Sequence, residues 1–90
     1  MTGVALKQPE RRHSMQFDFE ANGLDPNKLC TRSQLADLVR EKTGIPLTES
    51  RIDKDAMLGR GPKVSAVYGK THLITIRDGF AYALAKTRQA

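Results

Sequence analysis

The sequence predicts a small, mainly α-helical domain with one β-hairpin, in the order helix, turn, helix, hairpin, helix. Three observations predict this fold: two apolar runs at helical spacing within residues 31–58, two strand-like runs on either side of Gly69, and a third helical run after Thr75. A chain of 90 residues with one cysteine has room for one core and cannot form an intrachain disulfide. Packing, or a partner, must therefore stabilise the domain.

Residues 1–27 are predicted to form an N-terminal arm ahead of a domain at residues 28–90. Residues 1–14 show no apolar periodicity, so we expect them to be disordered. The arm carries a net charge of −1 and the domain, with 12 basic and 6 acidic side chains, a net charge of +6. This asymmetry favours a polyanionic partner for the domain, although a solvated surface can also be this basic.

Within the arm, Met15, Phe17 and Phe19 alternate with polar residues. This pattern predicts a short strand over residues 15–21 with one apolar face. Because a lone strand cannot bury that face, it must pack either on the following domain or on a second copy of the chain. Packing within the chain is favoured since it has no association cost, but the same three side chains are candidate oligomerisation residues.

A first helix is predicted to begin at Thr31. Thr31 and Gln34 have the spacing of a capping box, in which the two side chains satisfy backbone amides at a helix start. Gly44 and Pro46 end the helix after about three turns. The apolar residues of its buried face are expected to be Leu35, Leu38 and Val39.

Thr48 is a second N-cap candidate and predicts a shorter helix over residues 49–58. Ile52 and Ala56 are expected to form its buried stripe. Only a few residues separate this helix from the first. The two helices therefore have the outline of a helix-turn-helix motif.

The predicted hairpin and the last helix complete the domain. Val64, Ala66 and Tyr68 form the first strand-like run, and Leu73 and Thr75 the second, on either side of a basic tip at Gly69 and Lys70. Thr75 and Asp78 repeat the capping spacing, which predicts that a closing helix begins there. The apolar face of that helix is expected to contain Ile76, Phe80, Ala83 and Leu84.

Three stretches of this domain resemble the winged helix-turn-helix of small excisionases, also called recombination directionality factors, which have a MerR-like fold. Residues 29–36 (LCTRSQLA) are similar to the family's opening, in which a threonine caps a helix that starts with Gln-Leu-Ala. Residues 48–52 are placed like the short recognition helix, and residues 69–78 are similar to the wing that leads into the terminal helix. The chain departs from the family in its longer first connection and in having no tryptophan.

The resemblance implies a winged helix-turn-helix with a two-stranded wing that binds duplex DNA. It implies an excisionase, which bends an attachment site so that a tyrosine integrase carries out excision of a mobile element instead of integration. The partners expected from it are attachment-site DNA, a tyrosine integrase and further copies of the chain on the DNA. With no apolar run long enough to span a bilayer and no signal-peptide pattern, we expect a cytoplasmic, nucleoid-associated protein of a bacterium or phage.

The second helix carries the first group of candidate DNA-contacting residues. Ser50, Arg51 and Lys54 lie opposite the predicted buried stripe. A recognition helix presents its N-terminal residues to base edges in the major groove, and an arginine can form two hydrogen bonds with a guanine. The alternative is a solvated helix face on which Arg51 and Lys54 pair with Asp53 or Asp55.

A second group is suited to phosphates or to the minor groove, where a narrow groove concentrates negative potential and helix N-termini attract anions. Its members are Lys70, Thr71 and His72 at the hairpin tip, Arg60 and Lys63 in the loop before it, and Arg32 and Ser33 in the first turn of the first helix. The alternative is ordinary solvation of a polar hairpin tip and a helix end.

Other function classes remain as alternatives to an excisionase. A transcriptional regulator of a phage or mobile element uses the same fold, and a protein-interaction adapter would pair through the strand at residues 15–21. No catalysis, cofactor or metal is expected. Cys30 has no histidine placed by the sequence to activate it and is more typical of a small buried residue, and two scattered histidines do not complete a zinc site.

Overall fold

The structure is a computed structural model and describes residues 17–88. In that range the chain forms three helices and a three-stranded antiparallel sheet. The elements are β1 (Leu29–Cys30), α1 (Arg32–Thr43), α2 (Glu49–Met57), β2 (Ala66–Tyr68), β3 (Thr71–Thr75) and α3 (Ile76–Ala85). Across residues 17–88 there is no helix with the length and apolar character needed to cross a membrane. The expected disorder of residues 1–14 lies outside the described residues.

Helix α1 has a capping box at its N-terminal end and a glycine at its C-terminal end. The Thr31 hydroxyl accepts a hydrogen bond from the Gln34 amide at 3.1 Å, and the Gln34 side chain accepts one from the Thr31 amide at 3.0 Å, so the predicted capping box is confirmed. At the other end Gly44 has a φ of +80°, a left-handed conformation that glycine adopts without steric cost. Of the predicted buried face, Leu35 and Val39 are fully buried and Leu38 is half-buried.

Helix α2 is capped by Thr48, whose hydroxyl accepts a hydrogen bond from the Arg51 amide at 3.2 Å. Ile52 is fully buried as predicted, but Ala56 is only half-buried. The second buried residue of α2 is instead Asp55, 3% exposed. The prediction for this helix is therefore confirmed for Ile52 and is wrong in making Ala56 the second buried residue. Asp55, the residue before Ala56, points inward instead because its carboxylate has partners at α3.

The sheet has the order β1-β3-β2. The predicted hairpin is present, with Val67 opposite His72 and Tyr68 opposite Thr71, and Gly69 at the turn has a φ of +63°. Its first strand begins at Ala66, two residues later than the run that predicted it. The prediction of a two-stranded sheet was incomplete: Leu29 and Cys30 pair with Thr75 and Ile74, respectively, as a third strand. A two-residue strand has too few residues to show a period of two.

Helix α3 closes the core. The Thr75 hydroxyl accepts a hydrogen bond from the Asp78 amide at 3.2 Å, as the capping spacing predicts. Phe80 is fully buried at the centre of the domain, while Leu84 is half-buried. The buried apolar core residues are Cys30, Leu35, Ala36, Val39, Leu47, Ile52, Ile74, Ile76, Phe80, Tyr82 and Ala83.

The segment before β1 forms turns, so the predicted strand is wrong for its described part. Asp18 accepts a hydrogen bond from the Ala21 amide at 3.0 Å, and the Leu24 amide donates to the Phe19 carbonyl at 2.9 Å. A carboxylate that captures nearby backbone amides favours a turn over an extended chain. Phe17 and Phe19 nevertheless pack within the chain, with ring centroids 4.6 and 5.5 Å from that of Phe80. Met15 lies outside the described residues, and a role of these side chains in self-association stays a prediction.

Candidate nucleic-acid interface

The outward face of α2 carries Ser50, Lys54 and Met57, which lie opposite the buried Ile52. All three are exposed, and Met57 is 87% exposed. Lys54 makes no ion pair within residues 17–88, so the alternative in which it pairs with Asp53 or Asp55 is not seen in that range. Ser50 and Lys54 therefore present a hydroxyl and an ammonium to the outside of the domain.

Arg51 lies on the side of α2 that faces α3. Its side chain is 53% exposed, and its Nη1 atom is 4.0 Å from Oδ1 of Asp55. It borders a surface cleft together with Thr48 and with Lys86 at the end of α3. The guanidinium is thus accessible, but on the flank of the exposed face and near an internal carboxylate.

Asp55 is the buried polar centre behind that face. Its Oδ2 atom accepts a 2.5 Å hydrogen bond from the Tyr82 hydroxyl and lies 3.0 Å from Nζ of Lys86. The hydrogen bond from Tyr82, followed by that from Lys86, holds the pKa of Asp55 below its usual range. Burial and the same hydrogen bond raise the pKa of Tyr82. These contacts fix α2 to α3.

The sequence contained a signal for this cluster that the prediction did not use. Asp55 follows Ile52 by three residues, a spacing that places it on the buried side of the helix. A carboxylate on a buried face requires donors, and Tyr82 on α3 precedes Lys86, the cap residue of that helix, by four residues.

The hairpin tip lies against the N-terminal ends of α1 and α2. Lys70, Thr71 and His72 line one open cleft of about 290 Å³ together with residues of both helices. The other lining residues are Thr31, Arg32, Glu49 and Asp53. Three of the predicted contact elements are therefore adjacent in space, although they are distant in sequence.

Arg32 joins these elements. Its Nη1 atom donates to Oδ1 of Asp53 on α2 at 2.9 Å, and its Nη2 atom lies 3.2 Å from Nδ1 of His72 on β3. A guanidinium can only donate, so this contact is a hydrogen bond in the tautomer of His72 whose Nδ1 atom accepts. With 22% of its side chain exposed, Arg32 is more engaged within the chain than the predicted phosphate contact requires. Its neighbour Ser33 is exposed.

Glu49 also lines this cleft and is not among the site residues predicted from the sequence. It is exposed in the first turn of α2, on the side facing Lys70 and Thr71. Glu49 therefore adds a negative charge to a cleft that also contains the cations Arg32 and Lys70.

Arg60 and Lys63 are not part of the cleft at the hairpin tip. Both are exposed and line a separate groove beside α3 with Tyr82 and Lys86. The structure thus divides the predicted phosphate-contacting residues into two places, one at the hairpin tip and one along α3.

Cys30 is buried, and its Sγ atom lies 3.4 Å from the Ile74 carbonyl, to which the thiol can donate. Burial raises the pKa of the thiol, which disfavours the reactive thiolate. The prediction of a small buried residue is confirmed. No group of three histidine, cysteine, aspartate or glutamate side chains is suited to hold a metal ion within the 72 residues from 17 to 88.

Comparison of the chain with protein-family models, with curated proteins and with solved structures finds no match. The resemblance to excisionases is carried by the sequence motifs alone. A function for the chain is therefore inferred from its own residues and their geometry.

Proposed function

We propose that this protein binds duplex DNA as a winged helix-turn-helix, with α2 as the recognition helix and the β2–β3 hairpin as the wing. One observation carries the proposal: the basic wing tip lies beside the N-terminal ends of α1 and α2, in a cleft lined by Lys70, Thr71 and His72. A helix that enters a major groove with its N-terminal end forward would bring this tip toward the neighbouring backbone.

The dimensions and charges of the two elements fit this role. An α-helix with its side chains is about 10–12 Å in diameter, which fits a major groove about 12 Å wide, and the nine residues of α2 give it a length of about 13 Å. Lys54 on α2 and Lys70 on the wing are both exposed and form no ion pair in the described part of the chain, so each can neutralise a phosphate. Ser50 and Glu49 supply uncharged and anionic hydrogen-bonding groups for base edges.

The sequence resemblance supports a role as an excisionase. Such a protein performs no covalent chemistry. It stabilises a bent attachment site through contacts in two grooves, and the cost of bending is offset by those contacts. A tyrosine integrase would then act on the bent DNA. An excision assay with that integrase separates this role from that of a transcriptional regulator, which would leave recombination unchanged.

Salt dependence of duplex affinity tests the DNA-binding proposal. If about five phosphates are neutralised, the logarithm of affinity should fall with the logarithm of salt concentration with a slope of about −4 to −5. Fluorescence anisotropy with a labelled random-sequence duplex measures this slope. A slope shallower than about −2 would contradict the proposal and favour a protein-interaction adapter.

A further inference from the structure

Two cations meet at the buried carboxylate of Asp55, one from α2 and one from the residue that ends α3. Lys86 on the C-terminal side of α3 lies 3.0 Å from Oδ2, while Arg51 lies 4.0 Å from Oδ1. Arg51 and Asp55 are four residues apart on α2, the spacing at which helix side chains reach each other. Lys86 is the cation in contact with the carboxylate, and Arg51 stands at the limit of an ion pair.

We propose that Lys86 is a positioning residue for Arg51. By satisfying Asp55 it leaves the guanidinium of Arg51 available to DNA, a step that rests on the proposed function. Removing one partner from a buried ion pair leaves an uncompensated charge, which is strongly unfavourable. Among residues 17–88, Arg51 is the other cation within 4.0 Å of Asp55. Without Lys86, the guanidinium of Arg51 therefore moves onto the Asp55 carboxylate and is no longer accessible from the outer surface.

The two oxygens of Asp55 have different partners. Tyr82 and Lys86 both act on Oδ2, so Oδ1 is the oxygen that Arg51 can reach. The side chain of Lys86 is itself 42% exposed, so its replacement leaves no new cavity in the core. A neutral side chain at this position changes the electrostatics of Asp55 while the packing of α2 against α3 is kept.

Chemical modification of Arg51 tests the proposal without DNA. Phenylglyoxal reacts with accessible guanidinium groups, and peptide mass spectrometry gives the rate at Arg51. In Lys86→Met the rate should fall by at least about twofold, the smallest coupling expected of interacting residues. Lys86→Arg, which keeps a cation, should retain the wild-type rate. Lys28→Met, at an exposed lysine outside the cluster, is the matched control.

A double variant identifies the cause of any change. When Asp55→Asn is combined with Lys86→Met, the carboxylate that attracts Arg51 is absent and the rate should return to that of the wild type. Thermal unfolding confirms that each variant is folded. An unchanged Arg51 rate in folded Lys86→Met overturns the proposal, whether or not the protein binds DNA.

DNA affinity provides the second test, with a duplex that the wild-type protein selects from a random-sequence pool. Arg51→Ala should weaken binding by about 5- to 150-fold in the wild-type background. In the Lys86→Met background this loss should be smaller by at least about twofold. Additive losses would overturn the proposal and indicate that Lys86 contacts DNA independently. If the wild type binds no duplex, the proposed function fails, and the modification rates still decide the role of Lys86.

Discussion

Arg32 and His72 lie 40 residues apart in sequence, yet Nη2 of the arginine is 3.2 Å from Nδ1 of the histidine. The same guanidinium donates to Asp53 on α2. One side chain at the start of α1 thus holds the proposed recognition helix and the proposed wing in a fixed relation. Phosphate contact and this linking role make different predictions for Arg32.

Arg32→Lys keeps the positive charge but removes the fork that reaches two acceptors. If Arg32 links the two elements, this variant should lose about 1 kcal/mol of unfolding free energy and bind the selected duplex more weakly, with an unchanged salt slope. Denaturant unfolding and anisotropy measure both effects, and Lys28→Arg, at an exposed lysine outside the candidate interface, is the control. Full retention of stability and affinity in Arg32→Lys would instead indicate a simple phosphate contact.

Arg51 and Lys70 are predicted to contribute differently to DNA binding. Arg51→Ala should cost about 1–3 kcal/mol on the selected duplex and much less on random duplex, because a base contact carries sequence information. Lys70→Ala should weaken both complexes about equally, since a phosphate contact is independent of sequence. Competition titrations with the two duplexes give both values. Equal losses on the two duplexes for Arg51→Ala would place that side chain on the backbone.

Phe17 and Phe19 pack against Phe80, so their joint replacement by aspartate should destabilise the domain. Two charges placed against an apolar core are expected to cost several kcal/mol, enough to unfold so small a domain. Thermal unfolding followed by circular dichroism measures the loss, with Glu20→Ala in the neighbouring turn as the control. A double variant that stays folded but loses cooperative loading on a long duplex would show that these side chains join neighbouring copies.

Asp55 should make stability dependent on acid pH. The Tyr82 hydroxyl and then Lys86 lower the pKa of the folded-state carboxyl, so its contribution is present above the unfolded value of about 3.9 and disappears as pH falls through the folded value. We expect the free energy of unfolding to decrease below about pH 4. The decrease should be smaller in Asp55→Asn, which has no carboxyl group to protonate at this position. Asp37→Asn, at an exposed carboxylate, is the control. Parallel pH curves for wild type and Asp55→Asn would contradict this role.

Gly79 on α3 packs directly against the side chain of Leu35 on α1. A Cβ atom at this position would lie 2.3 Å from Cδ1 of the fully buried Leu35. Overpacking typically costs about 1–3 kcal/mol, whereas glycine to alanine in a helix gains about 1 kcal/mol, so Gly79→Ala should be destabilising. Denaturant unfolding measures the change, and Ala81→Gly on the exposed side gives the propensity effect alone. A stabilised Gly79→Ala would mean that Leu35 can move aside.

The parts of the fold that the sequence predicted are those that depend on nearby residues. Thr31, Thr48 and Thr75 each cap a helix through an amide three residues ahead, and the turn at Gly69 lies between strands that adjoin it. Strand β1 was missed because its pairing joins Cys30 to Ile74, and two residues carry no periodic signal. The alternation around Phe17 was misread because turn formation by Asp18 competes with extended structure.

In the candidate site, too, the features that depend on nearby residues were predicted and those that depend on distant residues were not. Exposure of Ser50, Lys54 and Lys70 follows from local patterns and was predicted correctly. The partners of Arg32 are 21 and 40 residues away, so nothing in the adjacent sequence distinguishes a linking arginine from a phosphate-binding one. Asp55 is the intermediate case, because helical spacing places it inward while its partners on α3 become evident only once the two helices are packed together.

The short strand β1 also sets an order of events during synthesis. Leu29 and Cys30 leave the ribosome well before Thr75 and Ile74, with which they pair. At about 5–20 residues per second, the 44 residues from Thr31 to Ile74 take about 2 to 9 s to make. Throughout that interval the thiol of Cys30 lacks the strand that covers it in the finished domain. Cys30 becomes a buried residue only once the central strand of the sheet has been made, so β1 waits for a partner that comes late in synthesis.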